Sequence, residues 1–169
     1  MLPFILILMG AVSRILIHEP NFTPVISIAL FSGVYLNRKY AVILPLAVMI
    51  LSDIFLGWHN TILFTWGSLI LIAYLGVWTR NHKTASSLLA INIAGALSFF
   101  LITNFGVWVV GGLYPMTFEG LQQCFIAAIP FYRGTFLSTI LYSTVLFGIY
   151  EFVACRVKGT RLAHVLLRS

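Results

Sequence analysis

Residues Tyr40 to Asn60 read YAVILPLAVMILSDIFLGWHN, and this stretch decides the kind of protein the chain is. From Tyr40 to Leu56 it is apolar but for Ser52 and Asp53, close to the run of about 20 residues that a helix needs to cross the hydrocarbon core of a bilayer. Arg38 and Lys39 precede it, while Gly57, Trp58, His59 and Asn60 follow as a tight polar turn. One end of the segment therefore carries cations and the other carries aromatic and imidazole groups. Asp53 lies about one turn inside the second end, where an unpaired charge costs roughly 2 kcal/mol or more.

The rest of the chain repeats that pattern. Its 169 residues are 60% hydrophobic and 8% charged, with a mean hydropathy of +1.02. One soluble core cannot hide so much apolar surface. Apolar runs punctuated by proline, glycine, asparagine or charge predict six helices, over 2–17, 22–36, 40–56, 61–79, 85–103 and 135–155. The expected fold is a single transmembrane domain, an all-α six-helix bundle without a soluble catalytic part. Nothing basic precedes Leu2 to Leu8 and no small-residue cleavage site follows, so the first run reads as a retained helix. The stretch from Asn104 to Gly134 is apolar but broken by glycines and prolines. It predicts a non-spanning external segment between helices five and six, with a short interfacial helix from Thr117 to Ile129 bounded by Pro115 and Pro130.

Charge assigns the sides. The net charge is +6, but the cations collect in connections rather than forming a nucleic-acid surface. Arg38 and Lys39, Arg80 and Lys83, and Arg156, Lys158, Arg161 and Arg168 share one side in a six-span chain. The positive-inside rule makes that side cytoplasmic, together with both termini, in a cell (inner) membrane. Cys124 and Cys155 then fall on opposite faces, so no disulfide is expected between them.

The other side receives His18, Glu19, Asn21, Asp53, His59, Asn60, Asn104, Glu119, Gln122 and Cys124, with Trp58, Trp108, Tyr114 and Tyr132. Mixed polar heads beside flat apolar surfaces suit a small-molecule site. Arg14 and His18 lie four apart and share a helical face. Arg14 and Asp53 are each about a turn inside the surface, and pair with one another or face a water-filled cavity. Asn104 is a helix-end cap or a ligand contact. The candidate substrate-binding set is Arg14, His18, Asn21, Asp53, Trp58, His59, Asn60, Asn104, Trp108 and Tyr114. On the opposite side, Glu151 reads as a local ion pair with Arg156 or a partner-binding residue. Ala29 with Gly33 and Ala90 with Ala94 allow close helix contact, within the bundle or with another subunit. Ser13, Ser52 and Ser68 lack a Gly-x-Ser-x-Gly elbow, and no phosphate-binding loop for ATP occurs. No intrinsic cofactor is expected.

The runs His18 to Pro24, Ser52 to His59, Thr103 to Trp108 and Leu113 to Phe131 resemble those of a family of small bacterial membrane proteins. That family is in turn similar to the S components of energy-coupling-factor (ECF) vitamin transporters. The resemblance implies six spans, an external substrate pocket, uptake of a vitamin or trace metal, and partnership with a transmembrane coupling subunit and ATPases that hydrolyse ATP. Helix one departs from the S-component pattern of paired alanines, having Gly10, Ala11, Arg14 and Ile15. A corrinoid cargo would find candidate cobalt ligands in His18, His59 and Cys124. The alternatives are a membrane-embedded metalloenzyme using His18, Asp53 and His59, or a structural membrane subunit. Single cysteines placed at His59 and at Arg38 in a cysteine-free background test the topology. A membrane-impermeant thiol reagent applied to intact cells is expected to label the first and spare the second.

Overall fold

A computed structural model of the protein describes residues 2–17, 19 and 21–157. Six helices follow one another: α1 (Leu2–Leu16), α2 (Val25–Tyr35), α3 (Arg38–Leu56), α4 (Ile62–Thr79), α5 (Ala85–Val110) and α6 (Phe118–Val157). Helices α3 to α6 are long and apolar enough to cross a membrane, and α1 and α2 are shorter apolar helices. The chain is thus a membrane-embedded, multi-pass, all-helical protein.

The shortest helix lies at the centre. α2 has 11 residues, and every one from Val25 to Val34 is buried. It has no polar stripe, and a helix that is apolar all round requires cover on all sides. The other five helices all pack against it. At about 1.5 Å per residue it rises roughly 16 Å, about half of the hydrocarbon thickness.

Close approach to α4 is made by glycine. A Cβ on Gly33 would overlap the Ala73 carbonyl oxygen, and one on Gly76 would overlap the Leu30 carbonyl oxygen. The small pair Ala29 and Gly33 is therefore consumed inside the bundle, whereas Ala90 on α5 is exposed. Hydrogen bonds fasten the remaining edges. Ser27 Oγ donates to the Thr139 carbonyl of α6 at 3.0 Å, and Ser32 Oγ donates to the Ala41 carbonyl of α3 at 3.2 Å. Arg80 Nη2 donates to the Gly33 and Leu36 carbonyls at 2.7 and 2.6 Å. These include carbonyls that the end of α2 leaves without helical partners.

The expected break between helices five and six is much shorter than the sequence predicts. α5 continues seven residues beyond Thr103 to Val110, and α6 begins at Phe118 and runs through Pro130 for 40 residues. Proline removes one backbone donor, and in this helix the neighbouring bonds carry the chain past it. Gly106, read as punctuation, is instead a contact point, because a Cβ there would meet the Phe64 ring. The connection is confined to 111–117, where Gly112 takes a left-handed φ of 67°. Helix starts also shift: Asn37 caps α3 by accepting from the Lys39 and Tyr40 amides, which draws Arg38 and Lys39 into its first turn.

Alternating helices bring the start of α1 and the end of α6 to one end of the bundle. There Leu2, Leu6, Phe31 and Tyr150 line a small apolar groove. Nearby, the Tyr35 hydroxyl donates to Glu151, and Lys83 Nζ lies 4.8 Å from the Tyr35 ring centroid. Glu151 thus bonds across to α2 rather than to Arg156, whose guanidinium lies 5.1 Å from the Phe152 ring.

Gly33→Ala and Gly76→Ala are each expected to destabilise the fold by about 1–3 kcal/mol through overpacking. Gly67→Ala and Gly148→Ala, where a Cβ meets nothing within 4 Å, serve as controls and leave stability unchanged or slightly raised. Thermal unfolding of detergent-solubilised protein checks both pairs.

Candidate functional site

At the opposite end, α1, α3 and α5 finish while α2, α4 and α6 begin. They enclose a cavity of about 560 Å³ to which all six helices contribute. Arg14 comes from α1 and Ile17 directly follows that helix, Val25 and Ile26 come from α2, Met49 and Leu56 from α3, and Thr65 from α4. Phe99, Thr103, Asn104 and Val107 of α5 form another wall, and Cys124, Ala128, Phe131 and Thr135 of α6 close it. Glu19, Asn21, Thr23, His59, Thr61 and Tyr114 are supplied by the connections.

The charge pair lies beside this cavity. Arg14 Nη1 donates to Asp53 Oδ1 at 2.8 Å, with the two side chains 16% and 1% exposed. The same nitrogen contacts Ser52 Oγ at 2.5 Å and Met49 Sδ at 3.1 Å. Trp66 Nε1 donates to Asp53 Oδ2 at 3.2 Å, so both carboxylate oxygens are engaged. Asp53 lies behind Arg14 and does not line the cavity; Arg14 does. Asp53 is thus the anchor, and Arg14 is the group presented.

Local sequence accounts for the arrangement. Ser52 bonds back to the Val48 and Met49 carbonyls at 2.7 and 3.0 Å, which points its oxygen along α3 toward the guanidinium. α1 packs chiefly on α3, and a Cβ on Gly10 would lie 2.8 Å from Ile28 and 2.9 Å from Val48. That close approach brings Arg14, one turn further on, within reach of Asp53.

The other candidate residues divide. His59 lines the cavity and its Nδ1 pairs with Thr61 Oγ1 at 2.9 Å. Asn104 donates from Nδ2 to the Phe100 carbonyl at 2.7 Å, and its backbone carbonyl accepts from Cys124 Sγ at 3.4 Å. Asn21 and Tyr114 also line the wall, the former with a left-handed φ of 58°. Trp58, Asn60 and Trp108 are outside the lining. Trp58 is 66% exposed and tilts against Trp66 with ring centroids 6.3 Å apart. Trp108 donates to the Pro115 carbonyl at 3.0 Å, holding the α5–α6 connection over the mouth. His18 lies outside the described residues.

Sequence reasoning passed over Trp66 and the hydroxyls Thr61, Thr65, Thr103 and Thr135. Each threonine sits in an apolar run, and such hydroxyls usually bond within their own helix. Thr65, Thr103 and Thr135 do so, to the Thr61, Phe99 and Phe131 carbonyls, while still facing the cavity. Among the described residues, no three His, Cys, Asp or Glu side chains gather where they could hold one metal ion.

A helical bundle of this kind, with a cavity of mixed polar and apolar wall at one end and a neutralised charge pair beside it, defines a multi-pass membrane protein with a candidate small-molecule site. The chain belongs to a family of unknown function, DUF6580, whose model matches residues 1–162. Neither the curated proteins nor the solved structures contain a match to it.

Arg14→Gln removes the cation and leaves Asp53 buried and unpaired, and is expected to destabilise the protein by about 3–5 kcal/mol. Pairing it with Asp53→Asn is expected to restore most of that loss. A double-mutant cycle on unfolding free energies measures the coupling.

Proposed function

We propose that the protein is a substrate-binding membrane component for uptake of a vitamin or related micronutrient, of the ECF S-component type. The cavity carries this reading. Its volume of about 560 Å³ falls within the roughly 300–1,000 Å³ of small-molecule sites. Its wall mixes apolar surface from Phe99, Phe131 and Leu113 with amide, hydroxyl, imidazole and guanidinium groups. A corrinoid, with its macrocycle and nucleotide loop, is a large guest for that space, so a compact organic cargo fits better. His59 and Cys124 line the cavity as candidate cobalt ligands should a corrinoid be taken.

In this reading α1 and α2 count as spans alongside the four long helices. α2 is covered by its neighbours, so lipid need not match its short length. Arg38, Lys39, Arg80, Lys83 and Arg156 lie at the end away from the cavity, which favours an external cavity, cytoplasmic termini and an inner-membrane location. Release of cargo inward would rest on a transmembrane coupling subunit and its ATPases. The metalloenzyme alternative has less support: Asp53 is already held by Arg14 and Trp66 and would have to abandon both to bind an ion.

Native mass spectrometry of gently solubilised protein is expected to find a retained small molecule. Ala128→Trp, which adds bulk at a cavity-lining residue that is 6% exposed, is expected to abolish retention. Uptake in cells is expected to need a coupling ATPase, whereas equilibrium binding is not. Absence of any retained molecule together with stable co-purification of another chain would favour a structural subunit.

A further inference from the structure

We infer that the cavity takes a monocarboxylate, docked on the edge of the Arg14 guanidinium that Asp53 leaves open; the inference rests on the cargo-capture reading. Three acceptors, Met49, Ser52 and Asp53, crowd one nitrogen, Nη1. Among the described residues, Nη2 and Nε make no hydrogen bond, although the side chain lines the cavity. A guanidinium offers five donors in a planar fork, and the pair Nε and Nη2 matches the two oxygens of one carboxylate. Asp53, with Trp66 on its second oxygen, fixes that fork before any ligand arrives.

Charge selects among anions. Among the described residues Arg14 is the only Lys or Arg on the cavity wall, and Glu19 stands there as well. With Asp53 already offsetting Arg14, the wall holds no spare positive charge, so an anion is held by the open guanidinium donors rather than by net charge. A phosphate would bring about two uncompensated charges, whereas a carboxylate brings one and its planar shape matches the guanidinium fork. Phe99, Phe131, Leu113 and Ile26 then surround the apolar remainder of the molecule, and Asn104 and the threonines meet its neutral polar groups.

The test uses acid and neutral partners of vitamin size: nicotinate with nicotinamide, pantothenate with panthenol, and lipoate with lipoamide. Each is titrated into purified protein by calorimetry, with thermal stabilisation as a second readout. At least one acid is expected to bind about 10- to 100-fold more tightly than its neutral partner. Because Arg14→Gln alone leaves a buried carboxylate, the decisive variant is Arg14→Gln with Asp53→Asn, which keeps the pair neutral. There the preference for the acid is expected to vanish while weak binding of the neutral partner persists. Arg14→Lys, which keeps the charge and loses the fork, is expected to lie between. Equal binding of acid and neutral partner, a preference that survives in the double variant, or no acid bound at all overturns the inference. A neutral molecule retained in native mass spectrometry overturns it too, yet leaves cargo capture standing. Failure of every probe together with no retained molecule counts against cargo capture itself.

Discussion

A charge placed among apolar helices has to be neutralised where it stands, and the contact of Arg14 with Asp53 meets that requirement for this bundle. α1 packs chiefly on α3, and its other face, with Phe4, Ile5 and Leu8, is exposed. The ion pair is the polar pin at the cavity end of that contact. Breaking it strands a carboxylate that is 1% exposed, and burial makes such a charge far more costly than a surface one. The pair also sets the character of the cavity. It removes the net field of Arg14 while leaving part of its donor surface on the wall.

The second constraint is the shortness of α2. Eleven residues wrapped by five helices form a core plug that reaches about halfway along the bundle. Above its first residues, Val25 and Ile26, no helix among the described residues fills the centre, and that is where the cavity lies. The glycine contact between α2 and α4 and the Arg80 bonds to the last α2 carbonyls hold the plug at the far end. Cavity depth is therefore a consequence of helix length, and the packing that fixes α2 fixes the floor of the site.

Hydropathy located every helix, because apolar runs of 15 to 21 residues in a polar-poor chain have few other solutions. It misjudged the stretch from Asn104 to Gly134. Gly106 and Pro130 look the same in a sequence whether they break a helix or fit inside one, and only the Phe64 ring beside Gly106 and the continuous backbone through Pro130 tell which. The pairing of Arg14 with Asp53 was legible as one of two outcomes, since both charges stood at matching depth. Trp66 was not, because an indole in an apolar run gives no sign that its N–H has a carboxylate to meet.

The sequence by itself determined membrane residence, the six apolar helical segments and the gathering of polar groups at one end, since each follows from local composition and from alternation of segment direction. Which of those groups face the cavity was decided by tertiary structure alone. Trp58 and Asn60 share a turn with His59, yet only His59 lines the wall. Asp53 stands one side chain, that of Arg14, behind the space it helps to shape. The reason is geometric: composition specifies which end of a helix a residue occupies, but its direction around the axis and its depth behind a neighbour depend on how the helices pack.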